Sequence, residues 1–241
     1  MLLKVDLVAS VAKDVQRQDL NEDAYALGDT IFSLADGASE SYDSQSWARL
    51  LTKAYLLDQD VGVPWVADRV RTYVEASDFD SLSWSQQAAF ERGSFSTLVG
   101  LKWAATGGDV EVLAIGDSLA VHVRDGRMLA SFPFEQAAQF DARPRLLSTL
   151  TEANSFVEEA DFVPVSNVDW AVQPGDQILL VTDAVGHWLL AHDDALGAVV
   201  ALSTSDDFER LIVARRLDKS MRLDDSTILR LTIESGYQEV T

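Results

Sequence analysis

The sequence predicts an α+β fold whose sheets are covered by helices. Three observations lead there. Short apolar runs with strand-like alternation recur from residue 2 to residue 234. Two stretches with apolar residues at 3.6-residue spacing interrupt them early, and a third interrupts them late. Turn dipeptides containing Gly, Pro or Asp separate the central runs. No internal repeat, low-complexity tract or Pro/Gly-rich linker divides the 241 residues, so one domain over 1–241 is expected.

Residues 2–9 alternate as a strand. Asp23 to Asp36 reads as a hairpin, with Gly28-Asp29-Thr30 as its turn and Ile31 to Ala35 returning. Trp47, Leu50, Leu51, Ala54 and Tyr55 mark a helix. Pro64 suits the first turn of a second helix, which carries Val66, Val70, Tyr73 and Val74. The centre returns to strands at 97–105, 110–115, 119–123 and 128–132, with Gly107-Gly108 and Asp125-Gly126 as turns, and a meander is expected. Residues 133–170 show no clear period. Pro174-Gly175-Asp176 turns the chain into a strand over 177–182. A helix near 208–217 then precedes a closing strand over 226–234.

Hydrophobic residues make up 47% of the chain, enough for a substantial core. The formal net charge is −20, from 39 acidic against 19 basic residues. Such a surface repels phosphate backbones, so no nucleic-acid partner is expected. No segment approaches the roughly 20 apolar residues of a membrane helix, and the first residues alternate like a strand rather than a signal peptide. A cytoplasmic protein with no membrane partner is the expectation; nothing in the sequence indicates an oligomeric state. With Cys 0, disulfides, thiolate metal sites and cysteine nucleophiles are excluded.

The functional signal lies in acids at strand ends. Asp36 closes the apolar run from Ile31, Asp117 the run from Val112, and Asp183 the run from Ile178, while Asp224 and Asp225 open the last strand. Sheet interiors avoid carboxylates, and an unpaired acid against an apolar core is costly. In the hairpin, Asp23 and Asp36 are about equidistant from the turn, so antiparallel pairing sets them opposite each other at the open end. Acids gathered at one rim repel unless cations hold them. Oxygen ligands without cysteine select hard ions, Mg²⁺ or Mn²⁺. Gly37 allows the backbone to approach such an ion and offer its carbonyl. Two ions sharing a bridging water generate hydroxide near neutral pH and clamp a phosphoryl group.

Taken in order, the motifs resemble those of the type 2C metal-dependent Ser/Thr protein phosphatases, the PPM family. They are Asn21-Glu22-Asp23-Ala24, Ala35-Asp36-Gly37, Gly93-Ser94-Phe95-Ser96-Thr97, Ile115-Gly116-Asp117-Ser118, Thr182-Asp183-Ala184 and Asp224-Asp225-Ser226-Thr227. The resemblance implies a central antiparallel β-sandwich flanked by helices, in four layers α-β-β-α, with a two-metal centre at one end. It makes Asp23, Asp36, Asp183 and Asp224 the acids holding two core Mn²⁺ or Mg²⁺ ions, and Gly37 a carbonyl ligand. Asp36 and Asp183 are central to catalysis in this reading. Glu22 matches a neighbour acting through metal-bound water, and Asp117 an acid associated with a third, weaker ion. The implied activity is that of a signalling hydrolase. It removes phosphate from phosphoserine or phosphothreonine in a protein substrate by metal-activated water, without a covalent phosphoenzyme.

The chain also departs from the family pattern. Where the family places an Arg three residues before the Asn of Asn-Glu-Asp, to grip the phosphate, this chain has Gln18 with Arg17 beside it. Arg17 is the expected substitute through a one-residue slip, although in an unbroken strand it would face the other way. Ala38-Ser39-Glu40 follows Gly37 without the second glycine or the histidine of different branches; Ala184 stands for a Gly, and Leu119 for an Arg. No metal ligand is lost. These departures keep a second reading open, a catalytically weak phosphatase-like binding or regulatory module; an acidic, metal-stabilised structural domain is a third. Of the histidines, His122 reads as structural, while His187 lies four residues after Asp183 and so near the expected site.

Overall fold

Two five-stranded antiparallel sheets stack face to face in the computed structural model, which describes residues 1–39, 41–104 and 108–235. The strands are β1 (Leu2–Val11), β2 (Ala24–Leu27), β3 (Ile31–Ala35), β4 (Phe95–Ser96), β5 (Leu98–Ala104) and β6 (Asp109–Ile115). There follow β7 (Leu119–Arg124), β8 (Arg127–Phe132), β9 (Leu147–Ser148), β10 (Asn167–Ala171), β11 (Gln177–Val181) and β12 (Ser226–Glu234). The helices are α1 (Ser44–Leu57), α2 (Val63–Ala76), α3 (Trp84–Phe90), α4 (Phe162–Ser166), α5 (Asp183–Ala191), α6 (Ala195–Val200) and α7 (Ser205–Leu217). One sheet runs β1-β12-β11-β7-β8 and the other β10-β6-β5-β3-β2.

Period-two alternation builds the layers. Ile178 and Leu180 of β11 point into the space between the sheets, against Leu34, Val99 and Leu229; Leu179 and Val181 point out, under Trp188, Phe208 and Ile212 of the α5 and α7 layer. The opposite outer face is covered by α1 and α2 through Trp47, Leu51, Tyr55 and Trp65. Gly100 makes that cover possible. A Cβ there would lie 2.2 Å from the Tyr55 ring, so only glycine lets Tyr55 rest on the strand. Both α1 and α2 were expected, as was the position of Pro64 in the first turn of α2. No described helix is long and apolar enough to cross a membrane.

The expected meander is corrected by the topology. β5 and β6 belong to one sheet and β7 and β8 to the other, so the chain changes sheets at Gly116–Ser118. Gly116 takes φ +96°, and a Cβ there would meet the Thr97 methyl at 2.7 Å. Apolar alternation alone does not say which sheet a strand joins, which is why this turn reads as an ordinary hairpin in sequence. Of the expected turn Gly107-Gly108, Gly107 lies outside the described residues, as do Ala105 and Glu40. The segment 133–170 contains β9, β10, α4 and two 3₁₀ stretches, Ala137–Asp141 and Thr151–Glu158. Such short pieces carry too few turns to leave a period.

At the far end of the first sheet, Asp176 is fully buried and ties three segments. It accepts from His122 Nε2 at 2.9 Å, from Arg124 Nε and Nη2 at 2.7 Å each, and from the Gln173 N–H at 2.9 Å. Burial pushes its carboxyl up, but the Arg124 guanidinium, the Gln173 N–H and His122 outweigh that and bring it down to about 2. His122, stacked on Trp170, is therefore structural, as its place in the strand suggested. A lowered carboxyl stabilises the fold above the unfolded value of about 3.9 and loses that contribution as pH falls toward 2. Asp176→Ala is expected to cost about 3 kcal/mol at neutral pH, because it strands three partners: His122, Arg124 and the Gln173 N–H. Urea unfolding at pH 7 checks this, and a change within about 0.5 kcal/mol, the range of neutral surface substitutions, would contradict it.

Candidate metal centre

The β2–β3 hairpin pairs Ala24 with Ala35, so the next position outward sets Asp23 against Asp36. This is the juxtaposition the hairpin's symmetry suggested. The sheet crossover delivers Asp117, the first residue of α5 is Asp183, and Asp224 and Asp225 lie immediately before β12. All reach the same rim of the sandwich. The Asp36 carboxyl is pushed well above the usual range first by burial, then by the charges of Asp23, Asp183, Asp117 and Asp224. Burial also raises Asp117, to about 6, with Asp183 adding to it. Asp183 and Asp224 rise as well, burial again leading.

Neighbouring hydroxyls and backbone groups fix these acids in place. Asp23 Oδ2 accepts from Thr227 Oγ1 at 2.6 Å and Thr182 Oγ1 at 3.2 Å, and the Asp23 N–H is held by Asn21 Oδ1 at 2.9 Å. The Asp36 N–H donates to Thr97 Oγ1 at 2.8 Å, while its carbonyl accepts from the Thr97 N–H and from Ser96 Oγ. That explains the Gly-Ser-Phe-Ser-Thr motif: its last two hydroxyls orient the backbone of an acid sixty residues earlier. Asp225 has a different task from Asp224. Its carboxylate accepts from the Lys13 N–H at 2.6 Å and the Glu22 N–H at 2.7 Å, joining the end of β1 to the start of β2.

Gly37 sits where no side chain fits. An added Cβ would meet the Glu22 carbonyl oxygen at 2.8 Å and the Ser44 backbone at 3.0 Å. Glu22 Oε1 accepts from Ser44 Oγ at 2.5 Å, and its Oε2 lies 3.7 Å from Lys13 Nζ.

Whether the residues fit a cation can be judged from their oxygens. Asp23 Oδ1 and Asp183 Oδ1 are both buried without any hydrogen-bond partner. Two orphaned carboxylate oxygens within a set of mutually repelling acids are costly unless positive charge meets them. The donor set is all oxygen, which suits Mg²⁺ or Mn²⁺. Among the described residues, no three acids or histidines already close on one point as metal ligands. The chemistry fits.

Arg17, the sequence's choice for phosphate, stands exposed on the turn before a short 3₁₀ stretch, Gln18–Leu20, and pairs with Asp19 through Nε at 3.1 Å and Nη2 at 3.0 Å. Gln18 folds back onto β1, its Oε1 accepting from the Ala12 N–H at 3.1 Å. His187 packs edge-on against Phe140, and burial lowers its pKa. Ala184 and Leu119 are fully buried in the outer core of the first sheet, so apolar packing accounts for both departures from the pattern.

Sequence reasoning missed three supports. Arg216 of α7 donates to the carbonyls of Ala12, Val11 and Asp224 and to Ser226 Oγ, clamping the loop that carries Asp224. Lys13 stands beside Glu22 and offsets the charge of Asp224. Arg222 does the same for Asp117 and Asp183. Basic residues scattered through a strongly acidic chain carry no local signal; Thr182 just before Asp183, Thr227 just after Asp224-Asp225-Ser226, and the second Asp of Asp224-Asp225 were the visible hints.

No protein-family model and no curated protein matches the sequence. Solved structures do match. The Mycobacterium tuberculosis serine/threonine phosphatase PstP/Ppp is 19% identical with a TM-score of 0.65, the match covering 98% of this chain and 100% of that one. The catalytic domain of PstP in complex with two manganese ions is 18% identical with a TM-score of 0.59, over 97% and 99% of the two chains. The PPM Ser-Thr phosphatase MsPP from Mycobacterium smegmatis, in complex with cacodylate, is 17% identical with a TM-score of 0.59, over 96% and 99%. Likeness at these identities is likeness of fold: the chain has the fold of the PPM Ser/Thr phosphatases.

Proposed function

We propose that this chain is a PPM-family protein Ser/Thr phosphatase that depends on Mn²⁺ or Mg²⁺, and that residues 1–241 form one phosphatase domain. The observation that carries the reading is the acid rim: five aspartates from five separate places in the chain, with two buried carboxylate oxygens left without partners. Asp23, Asp36, Asp183 and Asp224 would hold two ions, with the Gly37 carbonyl, while Glu22 would act through water and Asp117 would serve a third. Such an ion pair supplies a nucleophile from water near neutral pH and neutralises phosphoryl charge. The chain's own part is positioning. Thr182 and Thr227 leave one Asp23 oxygen free to coordinate by holding the other. Asp225 and Arg216 keep the strand ends that carry Glu22 and Asp224 in register.

For the phosphate, Arg17 would have to leave Asp19, whereas Lys13 already stands at the acids with its Nζ 2.7 Å from Ser39 Oγ. The pairing of Arg17 and the inward turn of Gln18 favour the second reading, a slow phosphatase-like binding module. Phosphate release from phosphoseryl and phosphothreonyl peptides separates the two: turnover that requires added Mn²⁺ supports the enzyme, and none on any peptide favours the module.

A further inference from the structure

A cavity of about 560 Å³ opens at Ala38 and Ser39, the residues that follow Asp36 and Gly37 of the acid rim. That volume lies within the range of ligand clefts. Its walls are the segment after β3, including Ser39 and Tyr42, the end of α3 with Arg92, the 143–146 segment, and Phe156 of the second 3₁₀ stretch. Three of the chain's 19 basic residues, Arg92, Arg143 and Arg145, line it, and no acid does among the described residues. In a chain of net charge −20 the described lining therefore carries the opposite sign.

The arginines are unequal. Arg145 is committed to the wall, with Nη1 2.5 Å from Glu159 Oε2 and its guanidinium over the Phe156 ring. Arg92 spends one N–H on the Ala88 carbonyl at 2.9 Å, and Arg143 has no ion pair among the described residues. Both are exposed, and both line the cavity. Phe95, Leu146 and Phe156 give the cavity an apolar floor, which lowers the local dielectric and strengthens a charged contact. The mouth joins the rim through Ser39, which receives Lys13 Nζ at 2.7 Å.

We propose that this cavity receives an acidic residue of the phosphoprotein substrate, beside the phosphorylated one, with Arg92 and Arg143 as the contacts. The inference rests on the phosphatase reading and adds a substrate class to it: phosphosites with acidic flanks. Arginine suits the task because its planar fork pairs carboxylates in two-pronged fashion. The cavity also offsets a general difficulty, since a net charge of −20 repels acidic peptides.

The test compares two fluorescent phosphothreonyl peptides of equal length, one flanked by Glu and one by Gln, on the wild type and on Arg92→Gln/Arg143→Gln. Neither arginine is buried, so the variant should fold, and p-nitrophenyl phosphate, too small to reach the cavity, reports the unchanged centre. The expected preference for Glu flanks is roughly tenfold in kcat/KM, the size of a charge-assisted contact partly screened by solvent. It should vanish in the double variant and shrink in high salt, with p-nitrophenyl phosphate turnover unaltered. Equal kcat/KM for both peptides in the wild type, or a preference that survives the double variant, would overturn the inference and leave the phosphatase reading standing. Fluorescence anisotropy gives a readout independent of turnover. Should no substrate release phosphate, the phosphatase reading fails, and the substrate inference with it; tighter binding of the Glu peptide that the double variant loses would then mark the cavity as an acidic-peptide site only.

Discussion

Asp183→Asn is expected to lower kcat/KM toward phosphopeptides by about 10²-fold or more while leaving the protein folded. A ligand carboxylate contributes to several kcal/mol of transition-state charge stabilisation, and each 1.36 kcal/mol is tenfold in rate. Asn keeps the shape of Asp at the first residue of α5 but brings no charge and offers only one acceptor oxygen. The folded state has little to lose. Burial and Asp224 already disfavour the charged form of Asp183, and its favourable place at a helix N-terminus is worth roughly 0.3–1 kcal/mol. Steady-state kinetics beside a thermal melt make the check. A variant that melts like the wild type and retains its kcat/KM would remove Asp183 from the centre.

The second large effect concerns stability. Acids crowded at a rim raise one another's pKa, as the Asp36 carboxyl records after burial. The sign follows. A carboxyl whose folded value exceeds its unfolded one binds more protons when folded, so the metal-free protein should gain from these groups as pH falls and lose as it rises. For Asp117 that window runs from about 4, the unfolded value, to about 6. A cation bound as proposed would relieve the same repulsion at neutral pH. At a hundred times its dissociation constant it adds about 2.7 kcal/mol, which for a chain of this size means a melting temperature higher by roughly 5–10 °C. EDTA should reverse the rise. Asp36→Asn should melt higher than the wild type in EDTA and respond little to Mn²⁺. A wild-type melting temperature indifferent to both Mn²⁺ and EDTA would mean that the rim assembles no ion site.

Much of this arrangement was legible in the chain, and the reason is local. An acid after an apolar strand is a conflict visible over seven residues, and the symmetric placement of Asp23 and Asp36 about Gly28-Asp29-Thr30 fixed their pairing, as the Ala24–Ala35 register bears out. The strand over 226–234 had both a clean alternation and an acidic start. What stayed hidden depends on distant partners. α5 has Ala184, Val185, Gly186, Trp188 and Leu189 all buried, so it lacks the polar face by which a short helix is recognised. The sheet change at Gly116 needs knowledge of which sheet β7 joins. The distinct work of Asp225, which holds two backbone N–H groups, and of Arg216, which holds three carbonyls, follows from where chain segments meet. Arg17 shows the limit from the other side: the charge was read correctly as nearby in sequence, but the turn at Gln18–Leu20 leaves it paired with Asp19.

The central claim, that the acid rim works as a metal-dependent phosphatase centre, is tested most directly by phosphate release on a single preparation taken through three states. Protein stripped with EDTA and dialysed should release no phosphate from a phosphothreonyl peptide. Addition of Mn²⁺ should start turnover, and excess EDTA should stop it again. Release that is equal in all three states, or absent in all three across phosphoseryl and phosphothreonyl peptides, would contradict the account.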